Sequence, residues 1–272
     1  MPRLKAIGVA AIALLVSIAG NASEFIIVQS TTSTQNSGLY DHLLPKFRAR
    51  TGIEVRVVAV GTGQAIKNAC NGDGDVLLVH AKSSEEKFVA SGYGVRRYDV
   101  MYNDFIIVGP ASDPAGVRRA KEVARALATI AAKKALFASR GDDSGTHKKE
   151  RQLWKLAGID PTPASGTWYR ETGSGMGATL NTGIGMGAYV MTDRATWIKF
   201  GNKQGHKILV EGDKRLFNQY GVILANVARH PRVKSVPGQK FIDWLLSKEG
   251  QTAIAGYRVA GQQLFFPNAA RR

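Results

Sequence analysis

Three features of the 272-residue chain predict an α/β fold of two lobes, one inserted into the other. Short apolar runs alternate with helical patterns from residue 25 onward, the mark of a sheet built with right-handed crossovers. Two segments, Met101–Gly109 and Leu216–Asn226, read as strands longer than the others. Between them lie about 110 residues with an α/β pattern of their own. The chain therefore divides into a leader (1–22), a discontinuous first lobe (23–108 and 218–272) and an inserted second lobe (109–217). The two long strands cross between the lobes, and the cleft they leave is the natural ligand site.

The first lobe opens with the apolar strand Phe25-Ile26-Ile27-Val28, which runs into five hydroxyl residues, Ser30 to Thr34. Leu39, Leu43, Leu44 and Phe47 recur at helical spacing, with Pro45 predicting a kink or a late start. Ile53, Val55, Val57 and Ala59 alternate as a second strand, closed by Gly61-Thr62-Gly63, and a short helix reaches Cys70. The run from Asp75 to His80 is almost continuously apolar, so it reads as a strand covered on both faces, and a charged helix follows near Ser84–Ser91. In the second lobe the pattern predicts a basic amphipathic helix over Val117–Ala131, a strand over Ala135–Ser139 and a helix after Ser144. A Gly-rich turn and helix from Gly173 and a strand at Ala188–Met191 complete that lobe. Helices around Phe241–Leu246 and Gln251–Tyr257 close the chain.

Composition narrows the function. With 44% apolar residues the chain is too apolar for disorder, and one cysteine excludes an internal disulfide framework. The net charge of +16 first suggests a polyanion partner. However, residues 1–22 carry Arg3 and Lys5, an apolar run from Ala6 to about Ala19, and the small residues Gly20-Asn21-Ala22. That is a secretory signal peptide cleaved after Ala22, which leaves a mature charge of +14 and a periplasmic protein with no nucleic-acid partner. No later segment is long and apolar enough to span a membrane. Cys70 reads as a buried small hydrophobe.

Three acid-poor turns stand where strands hand over to helices. Thr31, Thr32 and Ser33 present hydroxyls and backbone N–H groups as a donor-rich anion cradle, or else cap a helix with hydroxyls to spare. Thr62 occupies the second turn, as a turn residue or a donor. In the third, Ser139-Arg140-Gly141-Asp142-Asp143-Ser144-Gly145-Thr146, an arginine fork precedes a helix start, with an Asp to orient the fork or cap the helix. Enzyme readings fail: Asp143-Ser144-Gly145 with His147 makes no oriented triad, and Ser84 to Lys87 lacks the companion motifs of a serine–lysine site. The Asn71–Asp75 run has Val76 and Lys82 where a calcium loop needs Gly and Glu. Gly173 to Gly177 lacks the setting of a dinucleotide loop. The five histidines show no metal-ligand spacing, so they read as structural or solvated, and no metal or cofactor is expected.

The chain resembles the TupA-type tungstate-binding proteins, the substrate-binding components of tungstate ABC importers. The resemblance rests on TTSTQNSGL (31–39), NGDGDVLLVHA (71–81) with EEKFV (85–89), and MYNDFIIVGP (101–110). It continues through SRGDDSGTHKKE (139–150), ETGSGMGATLN (171–181) and FIDWLLSKEGQTAIAGY (241–257). It implies a type II periplasmic-binding-protein fold that closes on one oxyanion, with a membrane permease as partner and a monomeric chain. It further implies donors from Thr31, Thr32, Ser33 and Thr62 of the first lobe, and a charged anchor in Arg140. Ser144, Gly145 and Thr146 would add donors, and Ser174, Gly175 and Met176 would help close the site. The glycine-rich Thr182–Gly187 stretch departs from the pattern and puts the local helix in doubt.

Physical chemistry agrees, because a tetrahedral dianion with no proton needs donors only and is repelled by buried acceptors. The competing reading is a phosphate-binding protein, whose similar Arg-x-Asp-x-Ser-Gly-Thr turn uses an Asp to accept the proton of hydrogen phosphate. Molybdate is a further rival ligand, being nearly the size of tungstate. From another class, a basic exported protein binding acidic polymers would show steeply salt-dependent, many-residue binding.

Overall fold

The computed structural model describes residues 24–270, so the leader at 1–22 lies outside the described residues. In chain order the first elements are β1 (Phe25–Thr31), α1 (Thr32–Ser37), α2 (Leu39–Thr51), β2 (Glu54–Val60), α3 (Thr62–Cys70), β3 (Val76–Val79) and α4 (Lys82–Ala90). Then come β4 (Gly94–Pro110), α5 (Val123–Ala132), β5 (Phe137–Ser139), α6 (Gly145–Leu156), β6 (Tyr169–Glu171) and α7 (Met176–Gly185). The chain continues through β7 (Tyr189–Asp193), α8 (Arg194–Lys199), β8 (His206–Val210), β9 (Phe217–Ala225), α9 (Ser235–Leu246) and α10 (Lys248–Gly256). A small hairpin, Arg258–Val259 with Gln262–Gln263, precedes a last two-residue strand, Phe266–Pro267, laid on β4.

The strands form one mixed sheet in the order β2-β1-β3-β9-β4-β7-β5-β6, with β8 also on β4. β1 pairs parallel with β2 and β3, while β9 runs antiparallel to β3 and β4. β4 is the strand that joins the halves. Its residues Gly94–Asp104 pair with β9, and Phe105–Pro110 pair with β7 and β8. Both faces of each half are covered. In the first half, one face packs Ile26, Leu43, Phe47, Phe241 and Trp244, and the other packs Ala65, Leu77, Val79 and Phe88. In the second half, the corresponding layers contain Phe137, Trp154 and Tyr169 on one face and Ile106, Met176 and Val190 on the other. A continuously apolar strand such as β3 is stable only with such double coverage.

Several local expectations are corrected. The basic helix predicted over Val117–Ala131 starts only at Val123. Asp113 accepts bonds from the N–H groups of Val117 and Arg118, Arg119 takes a left-handed φ of 63°, and the helix is entered where Val123 N–H reaches Asp213. The arginines at 118 and 119 therefore sit on a turn and not on a helix face. α2 starts at Leu39 with Pro45 inside it, so the start is not late. Pro45 and Asp41, whose carbonyl loses its helical donor, are both exposed, so the helix tolerates the proline on its solvent side. The Thr182–Gly187 stretch stays helical to Gly185, because Gly183 packs where any side chain would collide with Val190 of β7. The strand predicted to begin at Met101 begins at Gly94. Cys70 is only half-buried, at the end of α3.

Candidate functional site

Four helix N-termini carry the sequence-predicted residues, those of α1, α3, α6 and α7. None has an acidic residue of its own in its first turn, although Asp142 and Asp143 of the third turn lie against the start of α3 at Gly61 and Gly63. Thr31 caps α1, accepting the N–H of Thr34, and Ser144 caps α6, accepting that of His147. Gly61 and Gly175 occupy the cap positions of α3 and α7 without side-chain capping bonds, which leaves those donors available.

The two halves of the sheet meet through these turns. Gly145 N–H donates to Thr62 Oγ1 at 2.8 Å, and a Cβ built on Gly145 would lie 2.9 Å from that same oxygen. A Cβ on Gly175 would stand 3.6 Å from Thr32 Oγ1, so the Gly-rich loop before α7 comes directly against the hydroxyl run. Arg140 leaves the end of β5 and is 2% exposed although fully charged in character. Its Nη2 lies 2.5 Å and its Nε 3.2 Å from Asp142 Oδ2, and Nη2 is 3.5 Å from Thr32 Oγ1 across the cleft. Asp142 Oδ1 accepts the N–H of Ser144, so one carboxylate both orients the guanidinium and helps cap α6. Asp143 pairs with Lys148 and lies against Gly63 in the first turn of α3.

The predicted residues are therefore brought together, with distinctions among them. Thr32, Thr62, Arg140, Ser144, Gly145 and Gly175 meet where the halves touch. Thr146 Oγ1 is buried at the start of α6 without a hydrogen-bond partner among the described residues, as expected of a group built for a ligand oxygen. Ser174 spends its hydroxyl on Thr172 C=O and its N–H on Arg140 C=O. The Met176 side chain lies wholly in the core with Leu180 and Val190, so only its backbone N–H belongs to the site. Thr31 and Ser33 turn their hydroxyls toward His80, at 3.3 and 3.1 Å from Nε2.

His80 is the residue that sequence reasoning missed, together with Asn103, Asn218, Asp193 and Thr196. His80 Nδ1 bonds Asn218, Asn218 bonds Asn103, and Asn103 bonds Asp193, all of them buried. Burial, followed by the nearby Arg140 charge, pushes the His80 imidazole down to about 4, so it is neutral at physiological pH. Burial shifts the Asp193 carboxyl upward against three donors that favour its charged form. The available signal was one asparagine in each of the two long strands, Asn103 in β4 and Asn218 in β9, directly paired in register.

With this geometry established, comparison with known proteins places the chain. The PBP superfamily domain matches residues 17–249. The tungstate-binding protein TupA of Peptoclostridium acidaminophilum is 48% identical over 250 residues, covering 90% of this chain and 86% of the relative. The chain belongs to the TupA family. The solved TupA structure from Desulfovibrio alaskensis G20 is 49% identical with a TM-score of 0.78, covering 91% of this chain and 100% of that one. The structure described as the tungstate ABC transporter from Geobacter sulfurreducens, also 49% identical, gives a TM-score of 0.80 over 87% of this chain and 100% of its own. The TupA fold is the type II arrangement that the sequence predicts, two α/β halves around a cleft.

Proposed function

We propose that this protein captures tungstate as a single, fully deprotonated oxyanion and delivers it to the permease of an ABC importer. Family membership supports the ligand, and one observation in the site carries the reading. The only buried formal positive charge at the meeting of the four helix N-termini, among the described residues, is Arg140, held by Asp142 so that its remaining donors face the Thr32 side. Thr32, Thr62, Ser144, Thr146 and the N–H groups of Gly175 and Met176 then surround the anion with neutral donors, and the Gly145 N–H holds Thr62 Oγ1 so that its hydroxyl hydrogen is free for the anion. Thr31 and Ser33 complete the first-lobe cradle. Ser174 acts through the loop it stiffens.

Hydrogen phosphate is the chemically nearest rival, because Asp142 Oδ1 accepts only the Ser144 N–H and keeps a lone pair for the proton that ligand carries; the family match favours tungstate over it. Discrimination from molybdate, by contrast, rests on differences in cavity size and donor placement. The function is binding and transfer without turnover, by a single chain in the periplasm, exported through residues 1–22 and then docked on the permease.

Calorimetric titration of the mature protein with tungstate, molybdate, phosphate and sulfate tests this directly. One-to-one tungstate binding, with phosphate and sulfate silent, is the expected result. Tight phosphate binding with no response to tungstate would refute it.

A further inference from the structure

The buried polar residues behind the cradle form a ring of contacts that meets at Thr196, whose one hydroxyl hydrogen serves either Asp193 or the Ser33 carbonyl. Thr196 Oγ1 lies 2.6 Å from Asp193 Oδ2 and 3.2 Å from the Ser33 carbonyl, while Asp193 Oδ1 accepts from Asn103 Nδ2 at 3.4 Å. Asn103 Oδ1 accepts from Asn218 Nδ2 at 2.6 Å, and Asn218 Oδ1 faces His80 Nδ1 at 3.1 Å. His80 Nε2 returns to Ser33 Oγ at 3.1 Å. The ring threads β4 and β9, the strands that link the halves of the sheet.

Its direction is dictated by donor and acceptor chemistry. Asp193 only accepts, so each amide must pass its N–H toward it, and His80 must donate from Nδ1 to Asn218. A neutral imidazole protonated on Nδ1 has a bare Nε2, which must receive a hydrogen from Ser33 or Thr31. Before the anion arrives, at least one cradle hydroxyl therefore points its hydrogen at His80 and not at the cleft.

We propose that His80 is a positioning residue for the oxyanion, holding the Ser33 and Thr31 hydroxyls in a waiting orientation and taking up a proton as the anion claims their hydrogens. Once protonated, Nε2 donates to these hydroxyl oxygens, and their hydrogens swing to the anion. The positive charge that opposes this proton is Arg140 in the cleft, while Lys82, Lys148 and Lys149 on α4 and α6 line the crevice beside His80. Asp99 and Glu86 line the same crevice, Asp193 is linked to the imidazole through Asn103 and Asn218, and the Tyr220 and Phe105 rings lie tilted beside it without charge. A dianion on Arg140 cancels the nearest opposing charge. Protons have a route, because a crevice of about 610 Å³ between α4, α6 and β9 opens onto His80, Asn218 and Gly145.

This inference rests on the proposed tungstate function. An opposite charge of this kind raises an imidazole by about two units or more, so the complex would take up about half a proton at pH 6 and almost none at pH 8. Affinity should be about two- to tenfold higher at pH 6. Titration of wild type and His80→Gln with tungstate at both pH values, each in two buffers of different ionisation enthalpy, reads the proton directly. The substituted glutamine offers a permanent amide donor, so the variant should bind with a buffer-independent heat and a flat pH profile. Nitrogen-15 NMR of the histidine rings in wild type supplies a second readout, with Nε2 changing from acceptor to donor on saturation with tungstate. Tungstate binding without proton uptake, or a bound His80 whose Nε2 stays an acceptor, overturns this inference alone. No tungstate binding at either pH overturns the proposed function and the inference together.

Discussion

Replacing Arg140 by Gln keeps two N–H donors on a shorter side chain, but removes the charge and the fork. The guanidinium is 2% exposed and bonded through Nε and Nη2 to Asp142, so its charge is felt at low dielectric. Removing one partner of a buried charge pair costs about 3–5 kcal/mol, and at 1.4 kcal/mol per decade this is about two to nearly four decades in affinity. Tungstate binding should therefore weaken about 150- to 4,000-fold in Arg140→Gln. Arg140→Lys keeps the charge and loses the fork, so its loss should be smaller, about 10- to 100-fold, the worth of one charge-assisted bond. The free protein should lose little, since Asp142 keeps the Ser144 N–H and is partly open to water. Calorimetric titration gives the affinities, and melting without ligand checks the fold. Arg140→Gln binding tungstate within tenfold of wild type, with unchanged stoichiometry, would refute the role assigned to the guanidinium.

Gly145→Ala places a methyl 2.9 Å from Thr62 Oγ1 and 3.1 Å from His80, so the halves should no longer approach as closely. Tungstate affinity should fall about tenfold or more, on the scale of about 1.4 kcal/mol or above, and an unchanged dissociation constant would contradict that contact. Saturating wild type with tungstate at a thousandfold above its dissociation constant should stabilise it by about 4 kcal/mol and raise the melting temperature by about 8 °C or more. Calorimetric scanning with and without tungstate checks this, and an absent shift would count against closure on the anion. Burial lifts the Glu150 carboxyl to about 7 against hydrogen bonds from Tyr169 and Trp154 that pull it down. Because the folded value lies above the unfolded one, its stabilising contribution is complete below about pH 4.5 and is lost as pH rises through 7. Glu150→Gln should accordingly melt higher at pH 8, by up to about 3 kcal/mol in stability, and show a shallower fall between pH 5 and 7. Equal slopes in the two proteins would show that Glu150 is not the group responsible.

Most of the fold was legible where burial imposes a period. β1, β2 and β3 are apolar runs bounded by turns, and α9 and α10 show a helical repeat, so their existence follows from pattern alone. The misread helix start at Val123 depends on Asp213, 90 residues away, a cap that no local window contains. Gly183 looked like a helix breaker because its reason, contact with Val190, is tertiary. The cradle was legible because hydroxyls, glycines and one arginine gather at strand-to-helix turns without acids. The ring behind it was not: Asn103 lies among the charged residues of β4, Asn218 near the start of β9 and His80 just past β3, and only strand pairing shows that they meet. Met176 shows the reverse case, where a motif residue contributes its backbone while its side chain serves the core.

The most direct test of the central claim is diffraction from crystals grown with tungstate, collected across a tungsten absorption edge. A single anomalous peak is expected within hydrogen-bond reach of Arg140, Thr32 and the N-termini of α6 and α7. A fully occupied peak elsewhere, or none in crystals saturated with tungstate, would contradict the account.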